Sequence, residues 1–336
     1  LRGAGHHVHV EIVHNSGLRS IADRYRTFVR TPYDSQRGSW MRELVRRTDA
    51  DIVHVHNFFP LLTPAIHEAA SASGCGVVQT LHNYRLMCAN AMFLREGRVC
   101  EKCIETGWNG WAIIHKCYRN SALGSLAVAR MQKRARAHNA WQHVHRFIAL
   151  TEFARSKFIT SGISPHQITI KPNFVKPVVT GGPGDSRTGA LFVGRLSREK
   201  GVQDLLAAWR SLPHIPLTII GDGPERNDLE KQCPQHVRFI GHRNRPEVLA
   251  AMRSSAALIV PSLWYEGFPM TVVEAYASGT PVFASRIGSL NEVIEDGVTG
   301  GLFNHGSPAD IVRVVGSAFA DVEALRRRGL AAKSVY

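Results

Sequence analysis

Two glutamates in the C-terminal half of the chain have the spacing of a ligand-binding pair. Glu266 and Glu274 bracket residues 267–271, where a Gly-Phe-Pro turn leads into a helical pattern. This places Glu266 in a loop and Glu274 about five residues into the helix, roughly 7 Å along its axis. The amides between them would face the positive helix end, where anions bind. A nucleoside diphosphate sugar has that layout, although two solvated helix-end charges would give the same spacing.

A basic loop elsewhere in the C-terminal half could hold the diphosphate of such a ligand. In "FVGRLSREKGV", residues 192–202, a strand ends, Gly194 opens the turn, and Arg195 and Lys200 precede a helix. Exposed backbone amides at a strand-to-helix turn bind anions. Arginine adds a planar fork and lysine a mobile point charge. A solvated basic loop is the alternative.

A glycine-rich turn follows another strand of the same half. "TIIGDGPE", residues 218–225, carries Gly221 and Gly223 but lacks the third glycine of the dinucleotide fingerprint. Alone it is a weak motif. As a second glycine loop at a strand end, it supports a nucleotide or phosphate site.

The elements that must position these loops are short strands alternating with helices. Such alternation predicts an α/β fold with parallel sheets flanked by helices. Typical helical stretches are "GVQDLLAAWRSL" and "MTVVEAYASG". The predicted strands are HVHVEIV, ADIVHVH, GVVQTLH, RFIAL, ITIKPN, ALFVGR, LTIIG, VRFIG, ALIVPS and PVFAS.

One stretch reads as a linker between two domains. Residues 176–189, "KPVVTGGPGDSRTG", are rich in glycine, proline, serine and threonine and show no periodicity. We therefore expect an N-terminal domain over 1–175 and a C-terminal domain over 190–336. Parallel sheets bind ligands beyond the carboxyl ends of their strands, so two such sheets facing each other would enclose a central cleft.

The bulk composition limits the function classes. The formal net charge is +14. Nucleic-acid binding would require a dense basic patch interleaved with aromatic residues, and the sequence has none. The tightest cluster, residues 129–138, also fits a solvated helix face. An anionic substrate and peripheral contact with an anionic membrane are favoured. No apolar run approaches the roughly 18–20 residues that a membrane-spanning helix requires. No signal peptide is visible, so we expect a cytoplasmic protein, at most peripheral on the inner face of the membrane.

Four cysteines fall in one predicted insertion of the N-terminal domain, residues 85–118. Their pattern is Cys-x11-Cys-x2-Cys-x13-Cys, which suits a structural zinc ion, with His115 as a spare ligand. A disulfide pair or four free thiols would give the same spacing. The four cysteines are Cys88, Cys100, Cys103 and Cys117.

Several motifs occur together in an order typical of one enzyme family. "GRLSREKG", "GDGP", "VPSLWYEGFPMTVVEAYASGTPVFAS" and "GSLNEVIEDGVTGGLF" follow the segment "LTEFARSKF…GI…ITIKPNFV" along the chain. The sequence resembles the retaining family 4 glycosyltransferases (group 1 glycosyltransferases), which have the GT-B fold of two Rossmann-like domains. The resemblance runs from about His6 to the end and is most specific over residues 188–310. Members begin with a strand and a glycine-rich loop, so the resemblance implies that this chain starts after them and stops within its closing helices.

The resemblance implies a donor site in the C-terminal domain, usually for a UDP-sugar. Arg195 and Lys200 would contact the diphosphate in place of a catalytic metal ion, without any cofactor. Glu266 would contact the donor sugar and Glu274 the ribose. The remaining donor-site residues implied by the family pattern are Gly194, Gly221, Gly223, Gly241, His242, Gly267, Phe268, Pro269 and Met270.

In the N-terminal domain, His82 of "TLHN" matches a family histidine facing the transferred sugar, and His56 ends another strand toward the acceptor. The resemblance implies retention of configuration by front-side attack, on a glycan or lipid-linked acceptor in cell-surface polysaccharide or glycoconjugate synthesis. Alternatives are another GT-B enzyme, such as a nucleotide-sugar epimerase or phosphorylase, and a non-catalytic nucleotide-sugar-binding module.

Overall fold

The computed structural model describes residues 1–14, 20–175 and 187–335. Most of the predicted linker, residues 176–186, lies outside the described residues. The chain divides into two compact units. The first unit consists of Leu1–Ala91, Glu101–Leu150 and Arg155–Lys171, and the second of Met92–Cys100, Thr151–Ala154 and Pro172–Tyr336.

Helices and strands alternate along most of the described chain. The helices are α1 (Ile21–Arg30), α2 (Ser35–Thr48), α3 (Ala65–Ala72), α4 (Lys102–Glu105), α5 (Gly110–Ile114), α6 (Ala122–Ala137), α7 (Glu152–Thr160), α8 (Val202–Trp209), α9 (Arg226–Gln232), α10 (Arg245–Ser254), α11 (Met270–Ala277), α12 (Leu290–Val293), α13 (Pro308–Ala320) and α14 (Val322–Val335). The strands are β1 (Ile52–Val55), β2 (Gly76–Thr80), β3 (Leu94–Arg95), β4 (Arg98–Val99), β5 (Arg146–Ala149), β6 (Ile168–Ile170), β7 (Ala190–Val193), β8 (Leu217–Ile220), β9 (Val237–Gly241), β10 (Ala257–Val260), β11 (Val282–Ser285) and β12 (Gly300–Phe303).

The first unit is built on a parallel sheet whose described strands lie in the order β1-β2-β5-β6. Val77 and Phe147 are fully buried in its centre. Helix α3 contributes a buried alanine-rich face, and α2 packs on it at Gly38, where an added Cβ would lie 3.4 Å from the Ala65 carbonyl oxygen. Because β1 and β2 are parallel neighbours, the residues that follow them emerge at one edge of the sheet.

The second unit is built on a parallel sheet in the order β12-β11-β10-β7-β8-β9. One face packs Phe192 and Ile259 against Trp209 of α8. The opposite face packs Leu191 and Leu258 beneath α10 and α11. Burial on both faces explains the near-continuous apolar runs of these strands. The sheet grows in both directions from β7, so the crevice at the ends of β7 and β10 is its topological switch point.

A short hairpin of the predicted insertion belongs to the second unit. Strands β3 and β4 pair antiparallel, and Val99 packs against the apolar cluster beneath α10 and α11. The Phe93 ring meets the Tyr265 ring edge-on with centroids 5.8 Å apart. The sequence predicts the whole insertion in the N-terminal domain, but residues 92–100 are part of the second unit.

One strand prediction was wrong, and one strand was not predicted. Residues 7–13, "HVHVEIV", form no strand, and Val10 and Ile12 are 62% and 66% exposed. Alternating apolar residues predict a strand only where a neighbour supplies hydrogen bonds. The segment "GGLF", which is not among the predicted strands, forms β12. A Cβ on Gly300 would lie 1.7 Å from the Val282 carbonyl oxygen. The close approach of two strands requires glycine there.

The basic cluster at residues 129–138 lies largely on α6. Val128, Met131 and Ala135 are buried, whereas Arg130, Lys133 and Arg136 are exposed. The helix is therefore amphipathic, with one apolar face in the first unit and one basic face in solvent. No helix within the described ranges is long and apolar enough to cross a membrane.

Candidate functional site

The loops after β7 and β8 touch each other through glycines. A Cβ on Gly221 would lie 1.8 Å from the carbonyl oxygen of Gly194, and Gly221 has a φ of +145°. The Gly194 amide donates to the Ile220 carbonyl at 3.0 Å, and the Leu196 amide donates to the Asp222 carbonyl at 2.9 Å. A Cβ on Gly223 would lie 2.3 Å from the Leu196 carbonyl oxygen. Only glycine fits these positions, so the loops form one compact surface at the switch point.

The loop after β10 joins the same surface. The Leu263 amide donates to the Glu199 carbonyl at 2.9 Å. Gly201 has a φ of +68°, and a Cβ there would lie 2.0 Å from the Pro261 carbonyl oxygen. This approach brings Lys200 beside the loop that carries Glu266.

Glu266 is a buried carboxylate with three donors on one oxygen. It is 4% exposed. Its Oε1 accepts from Lys200 Nζ at 2.6 Å, from Ser262 Oγ at 2.7 Å and from Trp264 Nε1 at 2.9 Å. A buried charge persists when it is paired and hydrogen-bonded. The lysine ammonium also lies 5.4 Å from the Trp264 ring centroid, so both predicted residues, Lys200 and Glu266, are fixed in one cluster.

Glu274 lies on α11 and is 8% exposed. Its Oε1 accepts from Arg245 Nε at 2.8 Å. Between the two glutamates, Pro269 precedes the helix with extended geometry and provides no side-chain cap. The first amides of α11 are thus unmet by a capping side chain and can bind an anion.

The segment before α11 is held in place from outside its own loop. Asn173 Nδ2 donates to the Phe268 carbonyl at 2.9 Å. Gly267 and Pro269 are half-buried, and the Met270 side chain is 41% exposed. These predicted residues therefore lie together at the N-terminus of α11.

The other predicted donor residues lie at strand ends of the same sheet. Arg195 is exposed immediately after Gly194. Gly241 ends β9 with a φ of +72°, its carbonyl accepts from the Gly221 amide at 3.0 Å, and His242 after it is exposed. An exposed arginine at a strand end can reach a phosphate without breaking an existing contact.

The predicted histidines of the first unit form a separate cluster at the ends of β1 and β2. His56 Nδ1 and His82 Nε2 are 2.7 Å apart, and their rings stack with centroids 5.0 Å apart. His54 stacks on His56 at 4.4 Å and bonds through Nε2 to Thr80 Oγ1 at 2.8 Å. Because one proton serves the His56–His82 contact, the two rings cannot both carry a proton on the bonded nitrogens.

This histidine cluster borders a cavity of about 120 Å³, whose lining includes Asn57, Asn83 and Arg85. Burial, and then the neighbouring His56, lower the pKa of His82 below its ordinary value. Burial and the same neighbour lower the pKa of His54. The neutral form is therefore favoured for His54 and His82, and a neutral imidazole can both donate a hydrogen bond to a polar ligand and accept one from it.

The four cysteines of the insertion occupy different surroundings. Cys88 Sγ donates to Asn90 Oδ1 at 2.9 Å. Cys103 and Cys117 pack against the cluster around Val128, whereas Cys100 belongs to the second unit. Within the ranges that the structure describes, no group of three or more His, Cys, Asp or Glu side chains is arranged to hold a metal ion. The geometry thus adds no support for zinc, which stays a prediction.

Sequence reasoning missed four side chains that hold the predicted residues. Ser262 and Trp264 lie four and two residues before Glu266, so a search for donors to a buried carboxylate within its own loop would have found them. Asn173 and Arg245 act across 95 and 29 residues of sequence. No local pattern marks those two contacts.

Two family profiles match the chain. Residues 1–178 match the family described as Glycosyltransferase Family 4, and residues 182–335 match the family described as Glycosyl transferases group 1. Both matches agree with the family that the sequence motifs indicate.

Curated relatives align with part of the chain. A 159-residue stretch is 38% identical to a glycogen synthase of Mycobacterium tuberculosis, covering 44% of this chain and 38% of that protein. A 134-residue stretch is 37% identical to a phosphatidyl-myo-inositol mannosyltransferase of Mycolicibacterium smegmatis, covering 38% of this chain and 34% of that one. The aligned part of the chain spans about two fifths of the length of such relatives, namely 38% and 40% of two of them.

Solved structures share the fold. The structure of Anabaena Alr3699/HepE in complex with UDP has a TM-score of 0.67 at 18% identity, over 89% of this chain and 76% of that one. Sucrose-phosphate synthase from Thermosynechococcus elongatus has a TM-score of 0.64 at 18% identity, over 93% and 74%. The α/β, GT-B fold class predicted from the sequence is thus confirmed. The order of the motifs, the fold and a family match over residues 1–178 agree that the chain belongs to glycosyltransferase family 4.

Proposed function

We propose that this protein transfers a sugar from a nucleotide-sugar donor, with a UDP-sugar as the first candidate, to a glycan or lipid-linked acceptor. The observation that carries the proposal is the ion pair between Lys200 and the buried Glu266, beside interlocked glycine loops at the switch point of the second sheet. Glu274 lies on the helix that follows. The structure of HepE was solved with UDP and with UDP-glucose, which favours the same donor class here.

The cationic residues suit a leaving diphosphate. Arg195 is exposed beside the glycine loops, and the lysine ammonium of Lys200 is 24% exposed at side-chain level. Positive groups placed in advance stabilise charge that develops as the glycosidic phosphate bond breaks. We therefore propose that transfer proceeds without a catalytic metal ion.

For the chemical step we propose the front-side reaction that the family resemblance implies. The bond between the anomeric carbon and the diphosphate oxygen breaks, and its electron pair leaves with the diphosphate. The acceptor hydroxyl oxygen bonds to the anomeric carbon from the same face, and its proton passes to the leaving diphosphate. Configuration is retained, and no enzyme nucleophile takes part. Glu266 binds hydroxyls of the donor sugar, and His82 acts on the transferred sugar as a neutral hydrogen-bonding group.

The proposed acceptor rests on the net charge of the chain and on the histidine cluster of the first unit. A formal net charge of +14 favours contact with an anionic membrane, where a lipid-linked acceptor would be presented. The histidine cluster and its cavity in the first unit are the candidate surface for the acceptor and the transferred sugar. Cell-surface polysaccharide or glycoconjugate synthesis is the matching role.

The test is a titration of the chain with UDP, GDP and their sugars, without added metal. The thermal stability of the protein is the quantity measured at each ligand concentration. A ligand at a hundred times its dissociation constant adds about 2.7 kcal/mol of stability. The expected result is stabilisation by one nucleotide series, weakened throughout by Glu274→Ala.

A radiolabelled donor identified in this way then tests transfer itself. Release of labelled product with a membrane or glycan extract as acceptor is expected from wild type and not from Glu266→Ala. Binding without transfer to any acceptor would favour the non-catalytic module. Stabilisation by no nucleotide would overturn the proposal.

A further inference from the structure

Arg245 makes a contact to which the family pattern assigns no role. Its Nε donates to Glu274 Oε1 at 2.8 Å, joining the first turn of α10 to the middle of α11. We propose that Arg245 is a positioning residue for nucleotide binding. It fixes the Glu274 carboxylate so that the second carboxylate oxygen accepts hydrogen bonds from the ribose hydroxyls. This inference rests on the proposed function, because it takes Glu274 as the ribose ligand.

The backbone under Arg245 is anchored. Asn244 caps α10 by accepting from the Glu247 amide at 3.0 Å, and the Glu247 carboxylate accepts from the Asn244 amide at 2.9 Å. Pro246 follows in the first turn, where its fixed φ suits a helix start. Below this turn, Val248 and Leu249 are buried in the cluster that also contains Val272 of α11. The two helices are thus held together, and the arginine starts from a fixed point.

The contact pairs an exposed cation with a sheltered anion. The Arg245 side chain is 57% exposed and the Glu274 side chain 11% exposed. A carboxylate with so little contact with water needs a hydrogen-bond donor from the protein to satisfy it and to hold it in one rotamer. Arg245 supplies a charge-assisted bond for that purpose, and its exposed guanidinium can adjust as a ligand arrives.

A comparison with Glu266 shows why Arg245 matters more for Glu274. Glu266 Oε1 has three donors, two of them from its own loop. Among the described residues, Arg245 is the side chain that donates to Glu274, and it does so at Oε1. In the part of the chain that the structure describes, no side chain donates to the second oxygen, Oε2, so a ligand can use it. Loss of Arg245 would therefore release the whole carboxylate, whereas loss of one donor to Glu266 would not.

The experiment measures the affinity of wild type and Arg245→Met for a nucleoside diphosphate by calorimetry. The probe is UDP, or GDP if the titration above favours it, together with its 2′,3′-dideoxy analogue, which lacks both ribose hydroxyls. The variant should bind the normal nucleotide about 10-fold more weakly, as expected for loss of one charge-assisted hydrogen bond. Its affinity for the dideoxy analogue should change by no more than about 2-fold.

Arg243→Met is the matched control. Arg243 is exposed two residues away, bonds through Nη1 to the His242 carbonyl at 3.1 Å, and its removal changes the net charge equally. Its affinities should match those of wild type. Melting temperatures of all three proteins check that the chains fold alike.

Four results would overturn the inference. They are tighter binding by Arg245→Met, equal losses for both probes, no loss for either, and an equal loss in Arg243→Met. The first means that the arginine competes with the ribose, and the second that it acts on the diphosphate. If wild type binds no nucleoside diphosphate, the proposed function itself fails, and the inference fails with it.

Discussion

Lys200 and Glu266 depend on each other more than surface charges do. Each is the charged partner of the other, with Lys200 Nζ 2.6 Å from Glu266 Oε1, and Glu266 is buried. Lys200→Met, Glu266→Gln and the double variant should therefore give a coupling free energy of about 1–3 kcal/mol in thermal or urea unfolding. The physical reason is that either single change leaves a desolvated charge unpaired.

The exposed pair Glu43–Arg46 is the control for this cycle. It has a similar separation, 2.7 Å, but side chains that are 60% and 75% exposed. Solvent screens such a pair, so its coupling should be clearly smaller. Equal coupling in both pairs would show that the site pair has no special dependence.

His67 makes the stability of the first unit depend on pH. It is fully buried, with its ring edge-on to Phe58 and Trp141, and burial lowers its pKa to about 4. Between pH 6.5 and 4 the unfolded chain binds a proton at this residue that the folded chain does not. Stability should therefore fall as the pH drops from 7 to 4, by about 3 kcal/mol in total from this group.

The measurement is unfolding free energy against pH for wild type and His67→Leu. Because leucine cannot titrate, the variant should lose less stability on acidification, whatever its stability at pH 7. Parallel curves for the two proteins would contradict the assignment. The difference between the curves removes the contributions of the other histidines.

At the scale of the elements, glycine contacts hold the strand-end loops together. Gly221→Ala would drive a Cβ to 1.8 Å from the Gly194 carbonyl oxygen, so the loops after β7 and β8 must separate. We expect a loss of about 3 kcal/mol or more in unfolding free energy and a loss of nucleotide binding. Circular dichroism melts and the nucleotide titration measure the two effects.

Gly297→Ala separates backbone strain from this collision. Gly297 has a φ of +84° and nothing within 4 Å of an added Cβ. The Gly297→Ala variant should lose only about 1–2 kcal/mol of unfolding free energy, which is the cost of placing an L-residue in the left-handed conformation. It should keep nucleotide binding. Similar losses in both variants would mean that the close approach of the two loops is not required.

At the scale of the whole molecule, the net charge of +14 should produce salt-dependent membrane contact. The chain should co-sediment with vesicles containing phosphatidylglycerol and not with pure phosphatidylcholine vesicles. Raising the salt from about 0.1 to about 1 M shortens the Debye length from about 10 to about 3 Å and should release it. Lys133 and Arg136 lie on the exposed face of α6. Reversing both charges should weaken binding to the vesicles. Binding that does not change with salt concentration would contradict an electrostatic contact.

Much of the fold and some of the site could be predicted from the sequence, because both follow from local patterns. Runs such as "ALIVPS" are apolar throughout because a parallel sheet covered on both faces buries every residue. Glycines at strand ends mark close backbone approach, and Glu266 lies in the loop that follows the apolar strand β10. By contrast, "HVHVEIV" shows the limit of this reasoning, because periodicity cannot state whether a neighbouring strand exists.

The sequence by itself therefore determined the α/β class, the strand-end loops and the placement of Glu266 and Glu274 around a helix start. Tertiary structure alone decided which donors those residues meet. Arg245 reaches Glu274 because α10 and α11 pack side by side, and His56 reaches His82 because β1 and β2 are neighbours in the sheet. Residues 92–100 join the second unit through contacts of the same kind. A short window of sequence specifies backbone conformation and burial, whereas partners far apart in the chain are set by strand order and helix packing, which depend on the whole core at once.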